Sequence, residues 1–396
     1  MSNAPQQFSP SVRVKQLCPS SFLSTQTLTI SQNAYNMSDQ SSQPSIQSLP
    51  KELLTYVIEL LVAQTEGPSD DAEWTSTIST QFISLSTIKE LLHLRYVCKD
   101  WCETVTPVLL HSICVRSPTT LESILQNWRN LMIGPNLSPV KRLAFENLFE
   151  PKASRGEDMS EILDYPTISI HQATRLIEFL GRNLMELKFG DSYSMGFPPD
   201  MIKAIEQIKG LKTLTVEWLH RQPIEFDDGL ESLPYLLNAT PNLEALALRV
   251  GHLDVLTLQP QALSNLKYFL FTQLGTSTDA LAHICKHIKN TVKVIEYDST
   301  GHEADLESLY EPLKDTLEGL FTNRTPCDLP APILDWNFPK LRVVRSLYWK
   351  ANPDTPTPLW LQLPIFKNVR TLVTVYGSAQ KNWANMLRSV AYDYRP

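Results

Sequence analysis

The sequence contains few glycines, no long apolar run and no dense cysteine pattern, and each absence excludes a class of protein. Glycine accounts for 13 of the 396 residues, so glycine-rich loops that bind nucleotide phosphates are not expected. No apolar run approaches the roughly 20 residues that cross a bilayer, and the N-terminus has no apolar segment of the length that a secretory signal needs. The six cysteines are scattered through the chain, which favours reduced thiols and a cytoplasmic or nuclear location.

Signatures of catalysis and of nucleic-acid binding are also missing. The chain has no G-x-S-x-G elbow and no H-E-x-x-H segment, so we expect neither an enzyme nor a cofactor. A net charge of −7 and a sequence pI near 5.7 argue against general nucleic-acid binding. At 396 residues the chain exceeds the usual size of a single core, which predicts two or more domains or an elongated repeat array.

Two groups of residues raise the question of a metal site. Cys98 and Cys102 lie one helical turn apart among apolar neighbours, with Cys114 further along, but no fourth ligand follows at zinc spacing. His283 and His287 are spaced i, i+4 on a predicted helix without a third ligand nearby. We therefore expect buried thiols, a solvated histidine face and no metal.

The first 47 residues are rich in serine, glutamine, asparagine, threonine and proline. Their only charged residues are Arg13, Lys15 and Asp39. Such a composition buries too little apolar surface to fold, so residues 1–47 are predicted to be disordered. Met37 is a second candidate start of translation, which mass spectrometry of the N-terminal peptide tests.

The predicted folded part begins with SLPKELLTYVIELL, residues 48–61. Pro50 suits the first turn of a helix, where its missing N–H costs nothing. Apolar residues then recur at helical spacing, at Leu53, Leu54, Val57, Ile58 and Leu61. Residues 66–87 are rich in serine and threonine and predict a mobile surface loop between two helices.

A second helix is predicted to begin at Thr87, which forms a capping box with Glu90. Its apolar stripe consists of Leu91, Leu94, Cys98, Trp101 and Val105, and a second apolar line consists of Ile88, Leu92 and Val97. Thr106 and Pro107 are expected to start a third, short helix, and residues 113–115 have the composition of a strand.

From residue 137 onward, a short strand pattern similar to L-x-x-L-x-L recurs. Its eight instances are VKRLAF at 140, LMELKF at 184, LKTLTV at 211, LEALAL at 243, LKYFLF at 266, VKVIEY at 292, LRVVRS at 341 and VRTLVT at 369. Helical segments such as HQATRLIEFLGRN and DALAHICKHIKN lie between many of them, which is typical of a leucine-rich solenoid. The repeat is degenerate, because the asparagine usual at about eight residues after the first leucine is missing. Two long gaps hold an insertion or an unreadable repeat, and SAQKNWANMLRSV predicts a final helix.

Two segments of the helical region together resemble the F-box motif. The family's opening Leu-Pro-x-Glu-Leu-Leu is matched by Leu49, Pro50, Glu52, Leu53 and Leu54. The later Leu-x-x-Leu-Arg-x-Val-Cys-Lys-x-Trp segment is matched by Leu91, Leu94, Arg95, Val97, Cys98, Lys99 and Trp101, and the closing segment by Pro107, Leu109 and Leu110. The inserted loop is the main departure from the family. An F-box followed by a degenerate leucine-rich array is similar to many fungal F-box proteins.

The resemblance implies an α/β fold, with a small three-helix F-box and then an irregular leucine-rich-repeat-type solenoid with parallel strands on its concave face. The implied domains are a disordered tail at 1–47, an F-box domain at 48–116 with the loop at 66–87, and a substrate-binding domain at 137–396. In the family, the F-box binds a Skp-type adaptor that connects the protein to a cullin–RING ubiquitin ligase, the SCF complex. The adaptor-binding residues are expected to be Leu49, Pro50, Leu53, Val57, Leu61, Leu92 and Val97. Trp101 is expected in the core of the F-box itself.

The solenoid is expected to bind a protein substrate through its strand face. Residues that alternate with the buried strand positions project onto that face, at Glu186, Lys188, Thr215, Glu217, Trp218, Arg249, Tyr268, Glu296, Arg345, Tyr348 and Tyr376. Aromatic residues and arginine are enriched at interfaces. The preferred substrate contacts are therefore Trp218, Arg249, Tyr268 and Arg345.

Two other interpretations stay open at this point. One is an F-box protein that binds the adaptor without a cullin. The other is a leucine-rich scaffold whose N-terminal helices only cap the array. Co-purification separates the three, because it yields adaptor plus cullin, adaptor alone, or neither.

Overall fold

The structure is a computed structural model that describes helices, strands and the turns next to them. The described ranges are 49–65, 82–83, 85–127, 138–148, 167–192, 196–218, 230–250, 253, 256–273, 278–299, 305–322, 329–346 and 363–374. The predicted tail at 1–47, most of the predicted loop at 66–87 and the predicted helix SAQKNWANMLRSV lie outside these ranges.

In the described part of the chain, ten parallel strands form one sheet in which each strand pairs with its neighbours in the sequence. The strands are β1 (Ser112–Val115), β2 (Arg142–Phe145), β3 (Glu186–Ser192), β4 (Thr213–Trp218), β5 (Ala245–Val250), β6 (Tyr268–Gln273), β7 (Val294–Ser299), β8 (Gly319–Thr322), β9 (Val343–Ser346) and β10 (Thr371–Thr374). Because parallel neighbours need a crossover, helices lie between most of them. The α/β class that the sequence predicts is confirmed.

All eight predicted strand segments are strands of this sheet, and two strands add to them. β1 is the segment 113–115 with one residue more, and it lies within the range 48–116 that the sequence analysis assigned to the helical region. β8 fills the longer of the two predicted gaps and pairs with β7 and β9, so that gap contains an additional repeat.

Seven helices in the described ranges connect the strands. They are α4 (Pro118–Asn127), α5 (Ile170–Leu180), α6 (Pro199–Glu206), α7 (Leu233–Asn238), α8 (Thr278–Ile288), α9 (Leu306–Tyr310) and α10 (Ala331–Asp335). Local chemistry sets their starts, since α5 begins with a capping box between Ser169 and Gln172, and Asp305 caps α9. α5 and α8 confirm the two helical segments predicted from HQATRLIEFLGRN and DALAHICKHIKN.

Side chains in the turns before the strands bind each repeat to the one before it. Asn183, Asn242, Asn265 and Asn368 donate a side-chain N–H to a backbone carbonyl in the preceding turn. Thr316 makes the same kind of bond through its hydroxyl. The asparagines therefore lie directly before the first apolar residue of the repeat. The leucine-rich pattern instead predicts an asparagine about eight residues after the first leucine.

Three helices precede the sheet among the residues that the structure describes: α1 (Lys51–Thr65), α2 (Leu85–Leu94) and α3 (Lys99–His111). α2 begins two residues before Thr87, so Thr87 is buried inside the helix and is not its N-cap. The second predicted helix is interrupted at residues 95–98, where Cys98 is extended. The predicted break at Pro107 is wrong. Val105, Val108 and Leu109 pack on the helical core on both sides of this proline and hold α3 together.

The described residues form two large apolar cores that are separate from each other. The sheet core consists of the inward side chains of the strands, such as Leu246 and Phe269, packed against α4 to α10. The helical core contains the fully or nearly fully buried Leu54, Ile58, Leu91, Trp101 and Val105 of α1 to α3. Trp101 thus lies in the core of its own helices, as the sequence predicts.

Candidate functional sites on the helices and the sheet

Exposed large apolar side chains are concentrated on α1, on α2 and in the turn after α2. They are Leu53, Tyr56, Val57, Leu60, Leu92, Tyr96 and Val97, and we call them the apolar patch. Between 37 and 87 % of the surface of each residue is exposed. Elsewhere in the described ranges, the large apolar residues with comparable exposure are Met185, Tyr235 and Val373, which are far apart in the sequence. Four of the seven lie within two turns of α1 and the other three within six residues of one another, and exposed apolar residues grouped in this way indicate an interaction site.

The two faces of α1 explain why this surface exists. Leu54 and Ile58 are buried in the helical core. Leu53, Tyr56, Val57 and Leu60 follow the i, i+3, i+4, i+7 spacing of a second stripe. One stripe is enough to hold α1 on its neighbours, so the second stripe is free to contact another molecule.

The predicted adaptor-binding residues divide into two groups. Leu53, Val57, Leu92 and Val97 belong to the apolar patch, and Pro50 is exposed beside it. Leu49 and Leu61 are half-buried, and Leu49 packs on the helical core. The prediction missed Tyr56, Leu60 and Tyr96. The spacing of Tyr56 and Leu60 relative to Leu53 was the available signal, whereas nothing in the sequence indicated that Tyr96 lies in the turn after α2.

The polar residues that alternate with the buried strand positions share one face of the sheet, here called the polar face. Its described members include Glu186, Lys188, Thr215, Glu217, Arg249, Tyr268, Glu296 and Arg345. One lateral row of register partners passes through Lys188, Thr215, Ala247, Leu270, Glu296, Phe321 and Arg345. Tyr348 and Tyr376 lie outside the described residues, as does the side chain of Trp218. Their assignment to this face stays a prediction.

Ion pairs connect neighbouring strands at the first half of the polar face. Arg142 Nε lies 2.8 Å from Glu186 Oε2, and both side chains are mostly buried. Glu217 binds two cations, with Lys188 Nζ at 2.9 Å and Arg249 Nη1 at 3.3 Å. Because each of these charges has an opposite charge beside it, the side chains hold fixed positions.

Aromatic contacts replace ion pairs in the second half of the polar face. The Tyr268 hydroxyl donates a hydrogen bond to Glu296, whose carboxylate is fully buried. The Tyr268 ring meets the Phe321 ring edge-on at 6.3 Å, and the Arg345 guanidinium lies over Phe321 at 5.8 Å. The predicted contacts Arg249, Tyr268 and Arg345 therefore belong to two pre-oriented groups on one face.

The segment between α1 and α2 reaches the polar face at one point. The Phe82 ring lies 4.9 Å from the Arg142 guanidinium, and both Phe82 and Ile83 are half-buried. Such cation–π contacts contribute about 0.5–1 kcal/mol at partly exposed sites. The end of the segment that the sequence predicts as a surface loop therefore packs against β2.

The candidate metal residues serve other contacts. Cys114 Sγ is 3.3 Å from Glu146 Oε1, and burial, followed by this carboxylate, raises the pKa of Cys114 to about 12. His287 Nε2 lies 2.8 Å from the Ala262 carbonyl oxygen, while His283 is exposed. Within the described ranges, no three His, Cys, Asp or Glu side chains are grouped in a way that could hold a metal ion.

No protein-family model matches this chain, and no curated protein is similar to it. Across the part of the chain that the structure describes, no helix has the length and apolar character to span a membrane. The apolar patch and the polar face are therefore the two candidate functional surfaces of the described residues.

Proposed function

We propose that this chain is the substrate-recognition subunit of an SCF-type cullin–RING ubiquitin ligase. In this proposal α1 to α3 are an F-box that binds a Skp-type adaptor, and the sheet with its helices is an irregular leucine-rich-repeat-type solenoid that binds substrate. The observation that supports it best is the apolar patch, which lies on the segments that resemble the F-box. A protein of this kind contributes proximity, and the transfer chemistry takes place on other subunits.

The apolar patch also separates this proposal from a simple cap. Helices that only close the end of a repeat array need a polar outer face to remain soluble. Here the outer side of α1 carries Leu53, Val57 and Leu60, which a cap has no reason to expose. The small helical core gives a second argument, because a unit with so few buried residues gains stability when a partner binds it.

The test is adaptor binding by two triple variants of the full chain. Leu53→Ala/Val57→Ala/Leu60→Ala removes the centre of the apolar patch. Central anchors contribute about 2 kcal/mol or more, so we expect adaptor affinity to fall by about 30-fold or more. Folding is expected to change little, because truncation of exposed side chains alters the free energy of unfolding by about 0.5 kcal/mol each.

The matched control truncates the exposed apolar residues outside the patch. Met185→Ala/Tyr235→Ala/Val373→Ala removes a similar exposed area, and we expect it to retain the adaptor at the wild-type yield. Retention of the adaptor by the patch variant at the same yield, or no binding by the wild-type chain, would contradict the proposal. Recovery of adaptor without cullin supports the alternative F-box protein that acts outside a cullin complex.

Substrate binding is proposed for the polar face, with Arg249, Tyr268 and Arg345 as contacts and Trp218 as a further prediction. Pre-oriented arginine and tyrosine side chains lose little conformational entropy on binding, which suits a recognition surface. Affinity purification under proteasome inhibition, with wild type and Arg345→Ala in parallel, tests this part. Identical sets of retained proteins would contradict a role of Arg345.

A further inference from the structure

The turns that precede the strands carry a large excess of positive charge. These turns are 138–141, 181–185, 207–212, 239–244, 259–267, 289–293, 314–318, 336–342 and 367–370. They contain twelve lysines and arginines and three acidic residues, a surplus of nine positive charges in a chain whose net charge is −7. Because parallel strands begin at the same edge of a sheet, all nine turns lie along one edge. We call it the basic edge.

Strand register aligns these charges into a row. The residues directly before β2 to β10 are Lys141, Met185, Lys212, Glu244, Lys267, Lys293, Glu318, Arg342 and Arg370, and the strand residues that follow them are register partners. Neighbouring parallel strands are about 4.8 Å apart. This spacing is below the Debye length of about 8 Å at physiological ionic strength, so neighbouring charges of the row act together.

Glu244 shows how the basic edge binds a carboxylate. One Glu244 oxygen lies 2.9 Å from Lys212 Nζ and the other lies 2.8 Å from Lys267 Nζ. The two lysines directly precede β4 and β6, the strands on either side of β5. These two lysines lower the pKa of Glu244 to about 2. A groove of about 280 Å³ opens at this point, and Lys209, Asn242 and Asn265 also line it.

We propose that the basic edge is a docking surface for an acidic polypeptide segment of a partner protein. Lys289, Lys340 and Lys367 are among the cations that such a segment can reach, because they are exposed and form no ion pair with the described residues. A segment with spaced carboxylates matches a row in which Glu244 and Glu318 separate groups of cations. This docking is independent of the adaptor and of the polar face.

A nucleic acid matches the same edge less well for two reasons. Single-stranded nucleic acids stack their bases on exposed aromatic side chains. The aromatic residues in the described turns are Trp336, half-buried under Lys314, and the buried Phe338. In addition, a nucleic acid carries a phosphate at every nucleotide, so a strand along the row cannot avoid the carboxylates of Glu244 and Glu318.

The experiment measures binding of a fluorescent peptide of about ten residues, in which glutamate alternates with serine, to the full chain at low ionic strength, where charge pairs are weakly screened. Lys289→Glu/Lys340→Glu/Lys367→Glu is the edge variant. Lys89→Glu/Lys203→Glu/Lys286→Glu is the control, because it reverses three exposed helix lysines and changes the net charge by the same amount. We expect about a tenfold loss of affinity in the edge variant and little loss in the control. Versions with glutamine at the same positions replace any variant that fails to fold, with a smaller loss expected.

Each alternative outcome overturns the proposal. Equal binding by the edge variant and the control shows that net charge alone attracts the peptide. No binding by the wild-type chain removes the docking surface altogether. Tighter binding of a single-stranded oligonucleotide of equal charge identifies nucleic acid as the occupant. Self-association of the wild-type chain that only the edge variant abolishes identifies a second copy as the occupant.

Discussion

Substitution of Leu91 by alanine is expected to open the N-terminal helices while the sheet remains folded. Leu91 is fully buried in the helical core, which has five buried members. Burial of a large apolar side chain contributes about 1.5–3 kcal/mol, so the gross apolar stabilisation of this core is about 10 kcal/mol. A buried Leu→Ala change costs about 3 kcal/mol. One substitution therefore removes about a third of what holds α1, α2 and α3 together.

Hydrogen–deuterium exchange of the full chain measures this effect segment by segment. We expect exchange in α1 and α3 of the Leu91→Ala variant to accelerate by about 100-fold, the factor that corresponds to about 3 kcal/mol. Exchange in β5 and β6 is expected to remain at the wild-type rate. Addition of saturating adaptor is expected to restore protection of the helices, since a partner that binds only the folded form stabilises it.

Leu246→Ala is the matched control, because Leu246 is equally buried but lies in the middle of the sheet core. Here we expect faster exchange in the central strands. The division into two cores is refuted if Leu91→Ala accelerates exchange in the sheet as much as in the helices. It is also refuted if the helices keep their protection.

Three further predictions concern single side chains. Glu244→Gln is expected to lower stability only where Glu244 is ionised, because the pKa of Glu244 is about 2 in the folded chain against an ordinary value of 4.5. The loss of unfolding free energy relative to wild type is therefore expected to be full above pH 4.5 and to disappear as the pH falls towards 2, which urea unfolding at several pH values measures. Asn265→Ala removes a side-chain hydrogen bond between repeats, and the loss of about 1 kcal/mol is expected as a lower midpoint of urea unfolding. Asn265→Asp is expected to have a similarly low midpoint at neutral pH, because the carboxylate has no N–H to donate. Burial raises the pKa of Cys114 and of Cys285 to about 12, so we expect both thiols to remain unmodified by iodoacetamide at pH 8 while the chain is folded. Mass spectrometry measures the modification, and rapid labelling of either thiol in the folded chain would contradict its burial.

The strands were predictable because their pattern is local. Each of the eight recognised segments has a leucine or valine in the preceding turn and an apolar residue three positions later, and in six of them a second apolar residue follows after two more positions. The segment LEGLFT contains β8 and has the same outline, but Gly319 takes the place of a strand-forming residue and hides it. Sheet pairing with β7 and β9 supplies the stability that glycine does not.

Helix boundaries were less predictable, because packing overrides the local pattern. The apolar stripe from Leu91 to Val105 runs through Cys98 without a visible break, yet the chain turns there so that α2 and α3 can both contact α1. On α1 the sequence contains two overlapping apolar stripes. Their spacing does not indicate which stripe is buried. Packing of α1 on α2 and α3 buries the stripe of Leu54 and Ile58 and leaves the other stripe exposed as part of the apolar patch.

By itself, the sequence determined the α/β class, the order of the recognised strands and the alternation that separates core from surface, because these depend on residues a few positions apart. The tertiary structure alone decided which charges pair and which turns share an edge. The Arg142–Glu186 ion pair joins residues 44 positions apart. The hydrogen bonds that asparagine side chains donate to the preceding repeat join residues 24 to 45 positions apart. Strand register brings these residues together, and register is set by the packing of all the repeats at once.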